Sequence, residues 1–299
     1  MSKVFITGIS GFIGGHVWAE LARREDVWGA YGATGPVTLK PEFQLGCDLS
    51  NPDEIGNIIG DIKPTHIIHL AAMSRPEMCR RHSLLAWKIN NAATRNLAEA
   101  AAKIDARVIF VSSDQVFDGV RGSFREGDTL EPINIYGETK KAAERSLLSQ
   151  VDNAVVLRLN NTYGPPRFKG GSFSEWILER ERSGQPIPLF TDQYRSPLDV
   201  VSAARSIVEL LDNNFQGVLH LGGANRVNRS TFGKMLLKHM GRDTSSILEM
   251  LSTKYDPDGH MPEDTSFDLT LARQILQTPI VNLTEGLKLA YGPSRSGLV

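Results

Sequence analysis

The chain has 299 residues, enough for one sizeable α/β core with a small second lobe. A hydrophobic fraction of 41%, a charged fraction of 22% and a formal net charge of −1 are those of an ordinary soluble protein. They exclude a general nucleic-acid binder, which needs a basic face to neutralise phosphates.

Two cysteines, Cys47 and Cys79, cannot build a disulfide framework and read as small buried hydrophobes. No apolar run is long enough to span a membrane. The amino terminus enters a strand at once, leaving no room for a signal peptide, so a cytoplasmic location without a membrane partner is expected.

Val4 to Thr7 is an apolar β-type run, followed by Gly8-Ile9-Ser10-Gly11-Phe12-Ile13-Gly14-Gly15 and a helix to about Arg24. Glycines at 8, 11 and 14 allow a tight turn, close backbone approach to a ligand and close helix–strand packing. The N–H groups of Ser10, Phe12, Ile13 and the new helix then face an anion. The spacing is GxxGxxG where the dinucleotide fingerprint is GxGxxG, but it follows a strand and opens a helix as that fingerprint requires.

A second strand covers Val27 to Tyr31. At its end an NAD-selective site carries an acid for the ribose hydroxyls. Here stand Gly32-Ala33-Thr34-Gly35, so repulsion against a 2′-phosphate is removed; NADP(H) is preferred and NAD(H) permitted, with Thr34 and Lys40 within reach in sequence. Phe43 to Cys47 leads to Asp48-Leu49, a strand end whose carboxylate suits an adenine amino group. Asn51 is a helix N-cap followed by early acids.

His66 to Leu70 is the fourth strand, running into Ala71-Ala72-Met73, where small residues let a cofactor lie against backbone. His69 reads as a satisfied strand-end histidine. A helical stretch to about Lys103 contains Asn90, a poor helix former that is either a polar bridge in the core or a solvated face residue.

Arg107 to Val111 is a buried strand running into Ser112-Ser113-Asp114-Gln115. Strands alternating with helices to this point predict an α/β fold, a Rossmann-type doubly wound parallel sheet with right-handed crossovers. Ligands on such sheets sit at the carboxyl ends of the strands, where Gly8, Asp48, Ala71 and Ser113 converge.

Tyr136 and Lys140 then open a helix to about Gln150, and i, i+4 spacing places them on one face. A free Tyr titrates near ~10. A cation ~4 Å away at an effective dielectric of ~20 favours the phenolate by ~4 kcal/mol, about three pKa units. Such a Tyr can exchange a proton near neutral pH.

Ala154 to Leu159 is the sixth strand, ending in Asn160-Asn161-Thr162-Tyr163-Gly164. Helices are expected from Ser174, over Asp199–Leu211, Ser230–Met240, Leu269–Leu276 and Leu283–Leu289, with a strand at Val218–Leu221 and Arg195 in a loop. Residues 1–165, with returning segments near 190–222, form the expected dinucleotide-binding domain, and 166–299 mainly a substrate lobe. No metal site is expected.

Taken together, Gly8-x-x-Gly11-x-x-Gly14, Asp48-Leu49, Ala71-Ala72, Asn90, Ser112-Ser113, Tyr136-x-x-x-Lys140 and Arg158-x-x-Asn161-x-Tyr163-Gly164-Pro165 resemble the extended short-chain dehydrogenase/reductase family over nearly the whole chain. Ser112 to Gly119, Glu131-Pro132 and Asp192-Gln193 with Pro197 are similar to dTDP-4-dehydrorhamnose reductases. The same pattern is shared by the regulatory β subunit of methionine adenosyltransferase, a non-catalytic alternative.

The resemblance implies hydride delivery from NAD(P)H to the C4 ketone of a nucleotide-linked 6-deoxy-4-keto sugar. It makes Tyr136 the proton donor, Lys140 the ribose ligand that lowers the Tyr pKa, and Ser113 a second hydrogen bond to the reacting oxygen. It places Gly8, Leu49, Leu70, Val111 and Asn90 at the cofactor, and Met73, Asp114, Gln115, Asn161 and Arg195 at the substrate, Arg195 on the diphosphate. Arg167 and Lys169 either add charge there or form a solvated basic loop. A homodimer is compatible with the family, and so is an epimerase that keeps its cofactor bound.

The chain departs from the pattern in three places. The family's dehydratases carry Asp-Glu where this chain has Asp114-Gln115, and an amide cannot abstract a proton. Rhamnose reductases usually carry Tyr at the Gln115 position, an Arg-Pro near the carboxyl end and an Asn-Phe after the glycines. Here stand Gln115, Met261-Pro262 and Ser172-Phe173, which leaves sugar and base open.

Overall fold

The computed structural model describes residues 2–21, 26–32, 35–38, 40–168, 170–256 and 259–293. In chain order the strands are β1 Val4–Thr7, β2 Val27–Tyr31, β3 Gln44–Gly46, β4 His66–His69, β5 Arg107–Ser113, β6 Ala154–Leu159, β7 Thr162–Tyr163, β8 Ile187–Phe190, β9 Tyr194–Arg195, β10 Leu198–Asp199, β11 Gly217–Leu221, β12 Val227–Asn228 and β13 Ile247–Met250. The helices are α1 Phe12–Leu21, α2 Pro52–Ile62, α3 Pro76–Arg81, α4 Ser83–Trp87, α5 Ala93–Ala102, α6 Ile135–Leu148, α7 Phe173–Arg182, α8 Val200–Glu209, α9 Arg229–His239, α10 Thr270–Ile275 and α11 Leu283–Tyr291.

Seven strands form one sheet in the order β11-β6-β5-β4-β1-β2-β3, and every pairing in it is parallel. Successive strand side chains point to opposite faces, so a sheet covered on both sides must be apolar throughout. Val4, Ile6, Ile109, Val155 and Leu157 face α1 and α8 through Val17, Trp18, Leu21, Ala203 and Ile207. Phe5, Ile67, Val108, Phe110 and Val156 face α2, α5 and α6 through Ile55, Ile59, Leu97, Ala143 and Leu147. Fully burying one such side chain contributes roughly 1.5–3 kcal/mol.

The expected elements lie within a few residues of where periodicity puts them, with one informative shift. β5 runs through Ser112 and Ser113, because these pair with Arg158 and Leu159 of β6. Ser113 is thus the last residue of the strand and not the second of a loop. The remainder of the expected helix after Leu21, up to Arg24, lies outside the described residues.

A second apolar cluster gathers Tyr163, Ile177, Ile187, Leu189, Phe232, Leu236, Leu283 and Leu287 from α7, β8, α9 and α11. β13 pairs with β8 and β12 with β9. β8 thus joins a small two-stranded pairing to this second cluster. None of the described helices is long and apolar enough to cross a membrane.

Candidate active site

The turn after β1 is built for close approach. Gly8 has φ +75°, and a Cβ there would stand 2.8 Å from the Ala71 nitrogen. A Cβ on Gly14 would stand 2.0 Å from the Gly8 carbonyl oxygen. The Gly11 N–H closes the turn onto Gly8 O at 2.9 Å. The first N–H groups of α1 have no intrahelical acceptor, so Phe12 and Ile13 present donors at the positive end of a helix. Glycines that cannot accept a side chain, below an anion-seeking helix start, fit a dinucleotide pyrophosphate.

Thr7 joins this turn to the rest of the site. Its Oγ1 accepts from the Leu70 and Ala71 N–H groups, each at 3.2 Å, and lies 2.7 Å from His69 Nδ1. Having accepted twice, Thr7 donates its proton to His69, whose Nε2 then donates to Thr94 Oγ1 at 3.0 Å. His69 is accordingly neutral, its pKa pushed by burial down to about 3. It is a satisfied strand-end histidine, as its surroundings in sequence suggest.

Thr94 donates on to Asn90 O. Asn90 sits in a wide turn, Lys88–Ala92, in which the Ala93 N–H reaches back five residues to Lys88 O. Its Oδ1 accepts the Met73 N–H at 2.8 Å, and its Nδ2 donates to Met73 O and to Thr139 Oγ1, both at 3.0 Å. Of the two readings open in sequence, the polar bridge holds. Both Nδ2 hydrogens and one Oδ1 lone pair are used within the chain, so Asn90 shapes the wall at Met73.

α6 carries the reacting pair. Asn134 caps it, accepting the Gly137 N–H at 2.9 Å. Gly137 permits its first turn to lie against the strand end, since a Cβ there would be 2.0 Å from Gln115 O. Tyr136 is 8% exposed and packed with Cys79, Ala86, Met73 and Ile135, with the Ser113 hydroxyl near enough to act on its pKa. One turn on, Lys140 Nζ donates to Val111 O at 2.7 Å and lies 3.9 Å from the centre of the Phe110 ring.

The electrostatics differ from the expectation of a Lys-depressed phenol. Burial holds the Tyr136 pKa above its ordinary value, opposed by the Ser113 hydrogen bond and reinforced by the Asp114 charge. Burial also brings Lys140 down to about 7, with Glu144 acting in the opposite direction. In this arrangement the phenol keeps its proton at neutral pH and is an acid in waiting.

The other residues singled out in sequence divide into exposed and engaged. Asp48 is exposed after β3 and holds Ser50 Oγ and N–H on Oδ1; Leu49 packs against the core beside it. Thr34 and Lys169 lie outside the described residues. Gln115 is half-buried, its Oε1 accepting from Asn134 Nδ2 at 2.9 Å. Asn161 is half-buried after β6, its neighbour Asn160 fastening residues 161, 196 and 265 together.

Asp114 and Arg195, which the resemblance places at the substrate, are both held by partners within the chain. Asp114 accepts from Ser113 Oγ at 3.0 Å and from Thr265 Oγ1, and Arg195 Nε lies 3.5 Å from its Oδ2. The Arg195 guanidinium, 2% exposed, donates to Tyr194 O, Glu263 O and Pro262 O. A buried guanidinium must fill its donors, and the 262–265 segment does this from a distant part of the chain.

Two charged residues at the site escaped the sequence reading. Glu144, one turn beyond Lys140, is buried with Arg158 in a bidentate pair at 2.8 Å. Arg229 is brought beside Arg195 because β12 pairs with β9, Val227 opposite Arg195. A cation in the first turn of a helix opposes the macrodipole, and that mismatch was a usable signal for Arg229. Glu144 offered none, since a Glu four residues after a Lys is ordinary on a helix face.

The whole arrangement has relatives. The family model described as the RmlD substrate binding domain matches residues 2–295. Methionine adenosyltransferase 2 subunit beta of Bos taurus is 32% identical over 233 residues, covering 76% of this chain and 69% of that protein. A Haloferax volcanii protein named "Probable low-salt glycan biosynthesis reductase Agl14" is 27% identical over 273 residues, 89% of each chain. Among solved structures, dTDP-4-dehydrorhamnose reductase of Bacillus anthracis in complex with NADP superposes with a TM-score of 0.86 at 24% identity, covering 97% of this chain and 98% of that one. With a doubly wound sheet, a glycine turn and a Ser–Tyr–Lys cluster at its strand ends, the chain belongs to the RmlD substrate binding domain family of extended short-chain dehydrogenases/reductases.

Proposed function

We propose that this protein reduces the C4 ketone of a nucleotide-linked 6-deoxy-4-keto sugar, with NADP(H) preferred over NAD(H). The observation that carries this reading is a buried Tyr136 whose pKa is influenced by Ser113 at the end of β5, one helical turn from Lys140, in the same sheet as the glycine turn after β1. The residues present fit a dinucleotide: Gly8, Gly11 and Gly14 leave room for its pyrophosphate, and no acid follows β2 to repel a 2′-phosphate. A Bacillus anthracis reductase of the same fold has been solved with NADP, which supports the preference.

The bound cofactor would supply the hydride. Tyr136 donates its proton to the oxygen that becomes a hydroxyl, and the raised phenol pKa keeps that proton available until the oxygen gains charge. Ser113 is held by Asp114, to which it donates its one proton, and it serves the same oxygen by turning that hydroxyl from Asp114 toward it. Lys140 is near its titration point at neutral pH, so its ammonium can form when a ribose or phenolate faces it. Asp114, fully engaged, and Gln115, an amide, leave no base for dehydration.

The test is NADPH consumption by the full-length protein with a dTDP-linked 4-keto-6-deoxyhexose. A reductase consumes NADPH stoichiometrically, whereas an epimerase does not. Tyr136→Phe is expected to lose about 10²–10⁴-fold in rate and to bind NADPH like the parent. Parent-like turnover in that variant would overturn the mechanism.

A second reading has one observation in its favour, the 32% identity to methionine adenosyltransferase 2 subunit beta. In that case NADPH binds but no nucleotide sugar draws on it. The intact Ser113, Tyr136 and Lys140 favour turnover.

A further inference from the structure

Ser113 has one hydroxyl proton and two acceptors that compete for it. At rest it donates to Asp114 Oδ1 at 3.0 Å, while its Oγ accepts the Gln115 N–H at 3.2 Å. To hydrogen-bond an oxygen that is gaining charge, the hydroxyl must leave Asp114, because a serine donates only once. How readily it leaves depends on what the Asp114 carboxylate then lacks.

Asp114 is 5% exposed, so water is a poor substitute for a departing donor. Thr265 is wholly buried and donates Oγ1–H to the other carboxylate oxygen, Oδ2. Arg195 Nε, at 3.5 Å from Oδ2, adds charge but lies beyond the about 2.7–3.2 Å of a direct N–H···O bond. The anchors of Thr265 are on its backbone. Asn160 Nδ2, just after β6, donates to Thr265 O at 2.7 Å, and the Thr265 N–H donates to Tyr194 O at 3.2 Å. One residue earlier, the Asp264 N–H reaches Gly119 O at 2.8 Å. These bonds fix the segment beside residues 113–119 without using the Thr265 hydroxyl, which is directed to Asp114.

We propose that Thr265 is a positioning residue for the ketone reduction: by holding Asp114 Oδ2 it lets Ser113 release Oδ1 and turn to the reacting oxygen. A carboxylate whose other oxygen already accepts a hydroxyl and faces a guanidinium gives up one donor at small cost. Without Thr265 the same carboxylate holds Ser113 more tightly, because a buried acceptor left unmet is costly. Thr265 acts only through Asp114 and touches no reacting atom. The inference rests on the reductase reading, since the oxygen that Ser113 turns to is the one Tyr136 protonates.

The experiment is steady-state kinetics of the full-length protein with NADPH and a dTDP-linked 4-keto-6-deoxyhexose. Thr265→Val keeps the branched shape and removes the hydroxyl. It is expected to lower kcat about tenfold to a hundredfold, the worth of one hydrogen bond to a charged group. KM for the sugar and NADPH affinity stay at the parental values, because the bond matters only when the oxygen gains charge. Thr265→Ser recovers most of the rate. In an Asp114→Asn background, whose neutral amide holds Ser113 weakly, Thr265→Val costs little further. Thr265→Cys, a weak donor, shows a loss in the same direction and serves if Thr265→Val does not fold.

Parent-like kcat in Thr265→Val, a loss that lies wholly in KM, no recovery in Thr265→Ser, or an equal loss in the Asp114→Asn background overturns the inference. Each of these leaves the reductase reading standing, because the parent still turns over. A parent that consumes no NADPH with the keto sugar removes the reductase reading and the inference with it.

Discussion

Glu144→Gln tests the electrostatic frame behind the reacting pair. The Glu144 and Arg158 side chains are 3% and 4% exposed, and the pair is bidentate, with Nη2–Oε2 at 2.8 Å and Nε–Oε1 at 3.1 Å. Ser112 Oγ donates to the same carboxylate. Arg158 Nη1 reaches Glu126 O and His220 Nε2, and His220 Nδ1 lies 3.1 Å from Phe124 O. Burial holds His220 down to about 3, so the ring is neutral, its Nδ1 proton on Phe124 O and its Nε2 free to accept from Arg158.

Neutralising Glu144 leaves the Arg158 cation without a counter-charge. Breaking a buried pair in this way costs about 3–5 kcal/mol. At about 2 °C per kcal/mol for a chain of this length, the melting temperature should fall by roughly 6–10 °C. The double variant Glu144→Leu/Arg158→Met should lie within ~1 kcal/mol of the parent or above it, because replacing both partners removes two desolvation costs together. Thermal melts of parent, both single variants and the double variant measure this. A Glu144→Gln variant melting within 2 °C of the parent (about 1 kcal/mol), or a double variant whose loss is the sum of the singles, refutes the reasoning.

Lys140→Met should show a pH-dependent gain in stability. The folded pKa of Lys140 is about 7, below the ~10.4 of an unfolded lysine. Between these values the unfolded chain binds a proton that the folded one sheds, so this group's contribution rises with pH across that window. The variant's melting temperature relative to the parent should therefore be highest at pH 6 and decline toward pH 10; a constant gap would show that Lys140 is not desolvated. Gly14→Ala places a methyl 2.0 Å from Gly8 O, where only backbone can yield, so a cost of about 1–3 kcal/mol and loss of NADP(H) binding are expected in a melt and a fluorescence titration. Asn90→Ala strands the part-buried Met73 N–H and C=O and should cost about 1–3 kcal/mol, the penalty of one unsatisfied buried group; a change well under 1 kcal/mol would mean water replaces the amide.

Features written in short spacings were legible in the sequence. Glycines three apart after an apolar run imply a tight turn whatever the rest of the chain does, and Tyr136 and Lys140 share a helix face because a helix repeats every 3.6 residues. Apolar strands alternating with helices imply a doubly wound sheet for the same reason: a strand buried on both faces cannot alternate with polar residues. These are local regularities, and a local pattern needs only its own neighbours to be read.

Tertiary structure alone decided what each charge near those motifs faces. Arg195 and Arg229 are the same residue type 34 positions apart. One is filled by the carbonyls of Pro262, Glu263 and Tyr194, the other donates to the Gln193 side-chain oxygen. Asp114 takes a hydrogen bond from Thr265, which lies 151 residues away in sequence. Burial pushes the Tyr136 phenol up and the Lys140 amine down, where the Tyr–Lys spacing implied a lowered phenol. Spacing determines which groups can meet, while desolvation and partners from distant segments determine which of them still have something left to bind.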